Sequence, residues 1–225
     1  MGKNNRIISI EGNIGSGKST FLEELRKAIG ENVNVIFLKE PVDAWENIKD
    51  EKGEKILQKF YKDQEKYSFS FQMMAFISRL SILKSAMLEN ENSIIITERS
   101  LYTDKMVFAK MLYEQSKIED INYQIYLCWF DEFVKECPID YVFYIKADPE
   151  NCYDRVQKRS RIGESVIPIE YLFECHIYHE EFLSPNGMFG KKQMIFDGNI
   201  DIVENKNIMC GWVSDVIKLL VNMQY

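Results

Sequence analysis

The sequence predicts an α/β domain built on a five-stranded parallel sheet flanked by helices, and three observations predict it. Short apolar runs alternate with longer stretches of helical period. The runs are almost continuously apolar, the pattern of strands covered on both faces of a parallel sheet. The first run leads straight into a glycine-rich loop that is followed by a helix-periodic stretch, so strand, loop and helix come in the order a parallel crossover needs.

Five strands are expected, at Arg6–Ile10, Val33–Leu38, Ser93–Thr97, Tyr141–Lys146 and Met194–Phe196. The intervening helices supply the crossovers. In one of them Phe69, Met73, Phe76, Leu80, Leu83 and Met87 recur every three or four residues, a stripe suited to a core or a helix–helix interface. Gln72, Ala75 and Arg79 fall on another face at the same spacings. That face lines a pocket or is solvated; periodicity alone does not choose. With 225 residues, no internal repeat and no Pro/Gly/Ser linker, residues 1–225 read as one domain.

Composition narrows the function classes. The chain is 46% apolar and 28% charged, which describes a soluble globular protein and excludes a disordered, collagen-like or disulfide-framework chain. Lys and Arg number 28 against 35 Asp and Glu, for a net charge of −7. The broad basic footprint of a duplex nucleic-acid binder is therefore missing, and any phosphate must be gripped locally. No apolar run approaches the roughly 20 residues that span a bilayer. The first residues lack the apolar core of a signal peptide, and Arg6 stands where a myristoylation motif carries Ser or Thr. The expectation is no nucleic-acid partner, no membrane and a cytoplasmic location. Five cysteines without a C-x-x-C pair fit reduced thiols there. His176 and His179 stand three apart on a helix without two further ligands nearby in sequence, which reads as an ordinary helix face rather than zinc.

The chemistry begins after the first strand. Gly12-Asn13-Ile14-Gly15-Ser16-Gly17-Lys18-Ser19-Thr20 fits G-x-x-x-x-G-K-[ST]. Its glycines let successive backbone N–H groups turn toward phosphate oxygens, and the next helix adds its positive end. Lys18 is expected on the β- and γ-phosphates and Ser19 on Mg²⁺. The motif does not separate a kinase from an ATPase, a GTPase or a switch.

The second strand ends in Lys39-Glu40-Pro41-Val42 and the third in Thr97-Glu98-Arg99-Ser100. Ligands gather at the carboxyl ends of parallel strands, so both clusters should converge on the phosphate loop. A carboxylate there can bind Mg²⁺ or take a proton from an attacking hydroxyl, and an arginine can neutralise a moving phosphoryl group. For Glu98–Arg99 the alternative is a structural ion pair. After the fourth strand, Arg155, Lys158, Arg159 and Arg161 form a cationic cluster in an acidic chain. It suits a lid over polyphosphate, with a solvated face as the alternative.

These motifs occur in one order with Trp45, Phe69-Ser70-Phe71-Gln72, Asp104 and Ile167-Pro168-Ile169-Glu170-Tyr171-Leu172. Together they resemble the deoxynucleoside kinase family, in particular its deoxycytidine, deoxyguanosine and deoxyadenosine kinases, from about residue 6 to about residue 183. The resemblance implies a P-loop kinase fold with an arginine-rich lid, and transfer of the γ-phosphate of ATP, or another nucleoside triphosphate, to the 5′-hydroxyl of a deoxynucleoside in nucleotide salvage. It implies Glu40 as general base, Glu98 and Ser19 on Mg²⁺, Arg99 and Lys18 on the transferring group, and Arg155, Arg159 and Arg161 as lid residues. Tyr61 and Glu164 resemble the pair on the sugar 3′-hydroxyl. Gln72 resembles the base reader, with Phe71, Phe108, Val42 and Trp45 around the base; for the aromatics, core packing is the alternative. It also implies a homodimer formed through two long helices.

Ala75, Arg79 and Asp104 resemble the trio of the deoxycytidine and purine deoxynucleoside kinases. Asp104 offers acceptors to an exocyclic amino group where thymine presents a carbonyl, and Arg79 fills space the thymine methyl needs. Deoxycytidine or a purine deoxynucleoside is therefore expected over thymidine. The rivals are a nucleoside monophosphate kinase of the thymidylate type, and a nucleotide-binding subunit without catalysis.

Overall fold

The computed structural model describes residues 5–30, 34–159 and 167–223. Strand β1 (Arg6–Glu11) passes through the phosphate loop into helix α1 (Lys18–Ile29), and β2 (Val35–Leu38) follows. Helices α2 (Val42–Glu46), α3 (Ile56–Lys62) and α4 (Gln64–Glu89) lead to β3 (Ile94–Glu98). A helical run of α5 (Leu101–Thr103), a π turn (Asp104–Ala109) and α6 (Lys110–Glu114) then gives way to α7 (Asp120–Phe133) and β4 (Tyr141–Lys146). Helices α8 (Pro149–Arg159) and α9 (Ile169–Phe182), strand β5 (Gln193–Asp197) and α10 (Lys206–Met223) complete the order.

All five strands are parallel, in the order β2-β3-β1-β4-β5. The expected sheet is present; β1 gains one residue at its carboxyl end, and β3 is shifted by one, losing Ser93 and gaining one residue at its carboxyl end. Those added residues are Glu11 and Glu98. Val33 lies outside the described residues, Asn34 precedes β2 rather than joining it, and β5 gains Gln193 and Asp197.

Side-chain alternation divides the core. Ile8 and Ile10, with Ile94 and Ile96 of β3, pack on Phe21, Leu22 and Leu25 of α1 and on Val213 and Val216 of α10. Ile7 and its register partner Ile95 face the other way, onto Phe76 and Leu83 of α4 and Tyr126 of α7. Each fully buried Ile or Leu contributes roughly 1.5–3 kcal/mol relative to an exposed one. Coverage on both faces holds for β1 and β3 but not for the edges. β2 is half-buried throughout and Ile195 of β5 is 51% exposed, since an edge strand has a neighbour on one side only.

Helix α4 has no Gly or Pro in its 26 residues, and the Asp63 side chain caps it by accepting from the Lys66 amide. Its apolar stripe enters the core at Phe76, Leu80 and Leu83, while Phe69, Met73 and Met87 are half-buried against it. Gln72, Ala75 and Arg79 are buried as well, so the solvated alternative for that face is excluded.

His179 of α9 lies on the inward face of its helix. It is fully buried, with Nδ1 2.6 Å from the Cys175 carbonyl, and burial pushes its pKa down to about 3. Between about pH 6.5 and 3 the unfolded chain therefore binds a proton that the native state does not, so stability falls as pH falls through that window. His179→Gln should lose about 2 kcal/mol less than the wild type between pH 7 and pH 5 in urea melts, at about 1.4 kcal/mol per pH unit. Equal losses would show that this imidazole does not set the slope.

Candidate active site

Strand register brings the site together. Ile10 is paired with Glu98 and Leu38 with Thr97, so the loop after β1 and the ends of β2 and β3 open at one level. A cleft of about 250 Å³ lies there, lined from the phosphate loop through Glu40, Glu98 and Arg99 to Gln72, Ala75 and Asp104.

The phosphate loop is tightly seated. Gly12 and Gly15 have φ of +143° and +83°, and a Cβ on either would lie 2.4 Å from a carbonyl oxygen, of Ile145 and Cys152 respectively. The Asn13 side chain points away from the cleft, accepting from the Ile14 amide and donating to the Leu172 carbonyl, each at 2.8 Å. Gly12, Asn13 and Ser16 thus support the loop from beneath, while Ile14, Gly15, Gly17, Lys18, Ser19 and Thr20 line the cleft. Lys18 is buried and donates to the Asn13 carbonyl at 2.7 Å. Burial and then the Arg99 charge push its ammonium down to about 7, against Glu98 and Glu40.

Ser19 Oγ donates to Glu98 Oε1 at 2.6 Å. A hydroxyl and a carboxylate side by side at a phosphate loop are the hard oxygen donors that suit Mg²⁺, which keeps most of its shell for phosphate and water. Among the described residues no cluster of three or more His, Cys, Asp and Glu side chains offers a fuller metal site.

Four charged side chains interlock on the acceptor side. Arg79 is 1% exposed and donates from Nε to Asp104 Oδ2 at 2.9 Å, from Nη1 to the Glu98 carbonyl at 2.6 Å and from Nη2 to Glu40 Oε1 at 3.1 Å. Arg99 Nη1 reaches the same Glu40 oxygen at 2.7 Å. Burial acts to raise the Glu40 carboxyl, yet Arg99, Arg79 and Lys18 outweigh it and hold it at about 2. Nε and Nη2 of Arg99 are buried without an acceptor among the described residues, and its guanidinium lies 5.1 Å from the Phe108 ring centre. Glu98–Arg99 is thus not a closed ion pair: Arg99 turns to Glu40 and Glu98 to Ser19.

The base-sized end of the cleft is an aromatic slot. Phe71 stacks on Phe60 at 4.7 Å and 19°, and Trp45 meets Phe71 edge-on at 5.5 Å. Trp45 is fixed by its Nε1–H, which donates to Ser78 Oγ at 2.8 Å. Val42, Tyr61 and Phe108 complete the walls. The Gln72 amide makes no hydrogen bond to any described residue although Gln72 is 2% exposed, so a donor and an acceptor remain for a ligand.

A sequence model of the family described as deoxynucleoside kinase matches residues 8–221. The chain belongs to the deoxynucleoside kinase family. Deoxycytidine kinase 1 of Xenopus laevis is 39% identical over 196 residues, 78% of this chain and 73% of that protein. A probable deoxycytidine kinase of Fowlpox virus (strain NVSL) is 34% identical over 214 residues, 93% and 86% of the two chains. Mitochondrial thymidine kinase 2 of Homo sapiens is 33% identical over 185 residues, 81% and 66% of the two. The protein is thus a kinase, with ATP the phosphate donor that its family implies.

In this deoxynucleoside kinase, Arg155 lines the cleft and is anchored there by backbone carbonyls. Its Nη1 donates to the Gly198 carbonyl at 2.6 Å and to that of Ser16 at 3.4 Å, and Nη2 donates to the Ile200 carbonyl at 3.2 Å. These contacts tie α8 to the loop after β5 at the edge of the cleft. Arg159, the last residue of α8, also lines the cleft. Arg161 and Glu164 lie outside the described residues. The sequence reading missed Phe60 and Ile202 as lining residues and left Tyr171 without a role. The signal for Phe60 was its place beside Tyr61 on a short apolar helix; Ile202 left none.

Proposed function

We propose that this kinase transfers the ATP γ-phosphate to the 5′-hydroxyl of deoxycytidine or a purine deoxynucleoside in preference to thymidine, as a salvage enzyme. The buried Arg79–Asp104 pair carries the reading, because it stands in the cleft with Ala75 and the Gln72 amide, which has no partner among the described residues. A base with an exocyclic amino group can donate to Asp104, whereas thymine would set a carbonyl against that carboxylate.

The chemistry follows from the interlocked charges. Glu40 stays ionised across the physiological range, positioned by two guanidiniums. It receives the 5′-hydroxyl proton as the new O–P bond forms and the bond from Pγ to the β–γ bridging oxygen breaks, leaving ADP. Nε and Nη2 of Arg99, without an acceptor among the described residues, are available to the transferring phosphoryl group, and Lys18 turns from the Asn13 carbonyl to the polyphosphate. Ser19 and Glu98 would hold Mg²⁺, which neutralises charge on the β- and γ-oxygens when bound. Tyr61 serves the sugar, and Phe71, Phe108, Val42 and Trp45 enclose the base.

A monophosphate acceptor fits less well, since Arg79 is committed to Glu40, Asp104 and the Glu98 carbonyl. A non-catalytic subunit fits less well because Lys18, Glu40, Glu98 and Arg99 share one cleft. With ATP and Mg²⁺, kcat/KM for deoxycytidine, deoxyadenosine or deoxyguanosine should exceed that for thymidine by about 10- to 100-fold. Thymidine ranking first would overturn the preference, and phosphorylation of monophosphates alone would overturn the acceptor class.

We also propose a homodimer through α4 and α7. Ile77 and Leu88 on α4 and Ile121, Ile125 and Trp129 on α7 are large apolar side chains 41–70% exposed, on helices that touch each other. Light scattering should give twice the chain mass; a monomer at micromolar concentration would refute it. The five unpaired thiols support a reducing, cytoplasmic compartment, and an organelle location of a tagged chain in cells would refute that.

A further inference from the structure

We propose that Glu11, which does not line the cleft, is the positioning residue that aims Arg99 at Glu40. Glu11 ends β1 and is fully buried. Three hydroxyls donate to its carboxylate: Ser9 and Ser100 to Oε1, the latter at 2.7 Å, and Thr103 to Oε2. Ser9 comes from the same face of β1, while Ser100 and Thr103 come from the segment that follows Arg99. Among the described residues no cation pairs with Glu11. Burying a carboxylate is costly, and an apolar residue of similar volume would often fill such a site at no loss of stability. Its presence is explained by what the two distal hydroxyls hold.

They hold a strained turn. Arg99 has φ of +61°, the left-handed region, which is strained for a non-glycine residue and persists only where the surroundings over-determine it. Two restraints do so. The Arg99 amide donates to the Ile10 carbonyl at 2.9 Å, one residue before Glu11. The Ser100 hydroxyl accepts from the Thr103 amide at 3.2 Å, so its proton is free for Glu11 and the turn is closed. From that turn the guanidinium crosses the face of Phe108 and meets Glu40 Oε1 at 2.7 Å. One carboxylate under the phosphate loop thereby sets the reach of the arginine above it.

The inference rests on Glu40 and Arg99 acting as the reacting pair, and its test separates the two. Turnover of Glu11→Gln should fall about 10- to 100-fold, the scale of a 1 Å misplacement, while KM for ATP and deoxynucleoside stays within about threefold. In an Arg99→Lys background the same change should add less than about threefold, because nothing remains for Glu11 to aim. Thr103→Val should lose turnover as Glu11→Gln does and Thr103→Ser should restore it, which keeps the question open to experiment if Glu11→Gln does not fold. Wild-type turnover in Glu11→Gln and Thr103→Val, with Arg99→Lys impaired, overturns this proposal alone. So do losses that multiply in the double variant. Wild-type turnover in Arg99→Lys removes the catalytic reading of Arg99 and this proposal with it.

Discussion

Replacing Glu40 with Gln is expected to lower kcat by about 10²–10⁴ while ATP affinity changes little. The amide keeps the shape of the side chain and can still sit among the same groups. It cannot take the proton that the 5′-hydroxyl must lose. ATP affinity should survive because the phosphate loop, Lys18 and the Ser19–Glu98 pair are untouched. Folding should survive too, since Arg79 retains Asp104 and the Glu98 carbonyl. The sign of the pH effect is set by the same cations. A carboxyl held at about 2 is ionised throughout the workable range, so Glu40 contributes no acidic limb to kcat/KM above about pH 5. Steady-state kinetics and titration with a non-hydrolysable ATP analogue decide the matter: unchanged turnover in Glu40→Gln removes the residue from the base role.

What was legible in the sequence was local. The phosphate loop announces itself within nine residues, and Glu98 and Arg99 were readable because a strand end and its next residue are fixed by the strand itself. Glu40 followed for the same reason. The contact between Arg79 and Glu40 was not legible. It spans 39 positions and depends on a guanidinium that uses Nε, Nη1 and Nη2 on three different partners. The carbonyl contacts of Arg155 were not legible either. A cation one turn from Arg159 looked available for phosphate, but nearby carbonyls at residues 198 and 200 compete for its donors, and nothing local signals that loop's approach. Asp104 and Phe108 both reach the cleft because they stand four residues apart on one face of the helical run after β3.

The joint replacement Arg79→Met with Asp104→Ala should raise kcat/KM for thymidine relative to deoxycytidine by about 10- to 100-fold, the discrimination that one mismatched buried polar contact supplies. The single variants should behave worse than the pair. Arg79→Met strands the Asp104 carboxylate, 2% exposed, without its cation, at a cost of about 3–5 kcal/mol. Asp104→Ala leaves Arg79 charged and still tied to Glu40, so the space the thymine methyl needs stays filled. Removing both discharges the site without leaving a lone charge, so its loss of stability should be smaller than the sum of the two. The pair also touches the chemistry. Without Arg79, Glu40 keeps only Arg99 as a hydrogen-bonded cation, so its carboxyl should rise from about 2 toward the ordinary range, and turnover of deoxycytidine should fall as thymidine use improves. Kinetics with both nucleosides, beside thermal melts of the three variants, test this together. A double variant whose preference is unchanged would show that these two residues do not read the base.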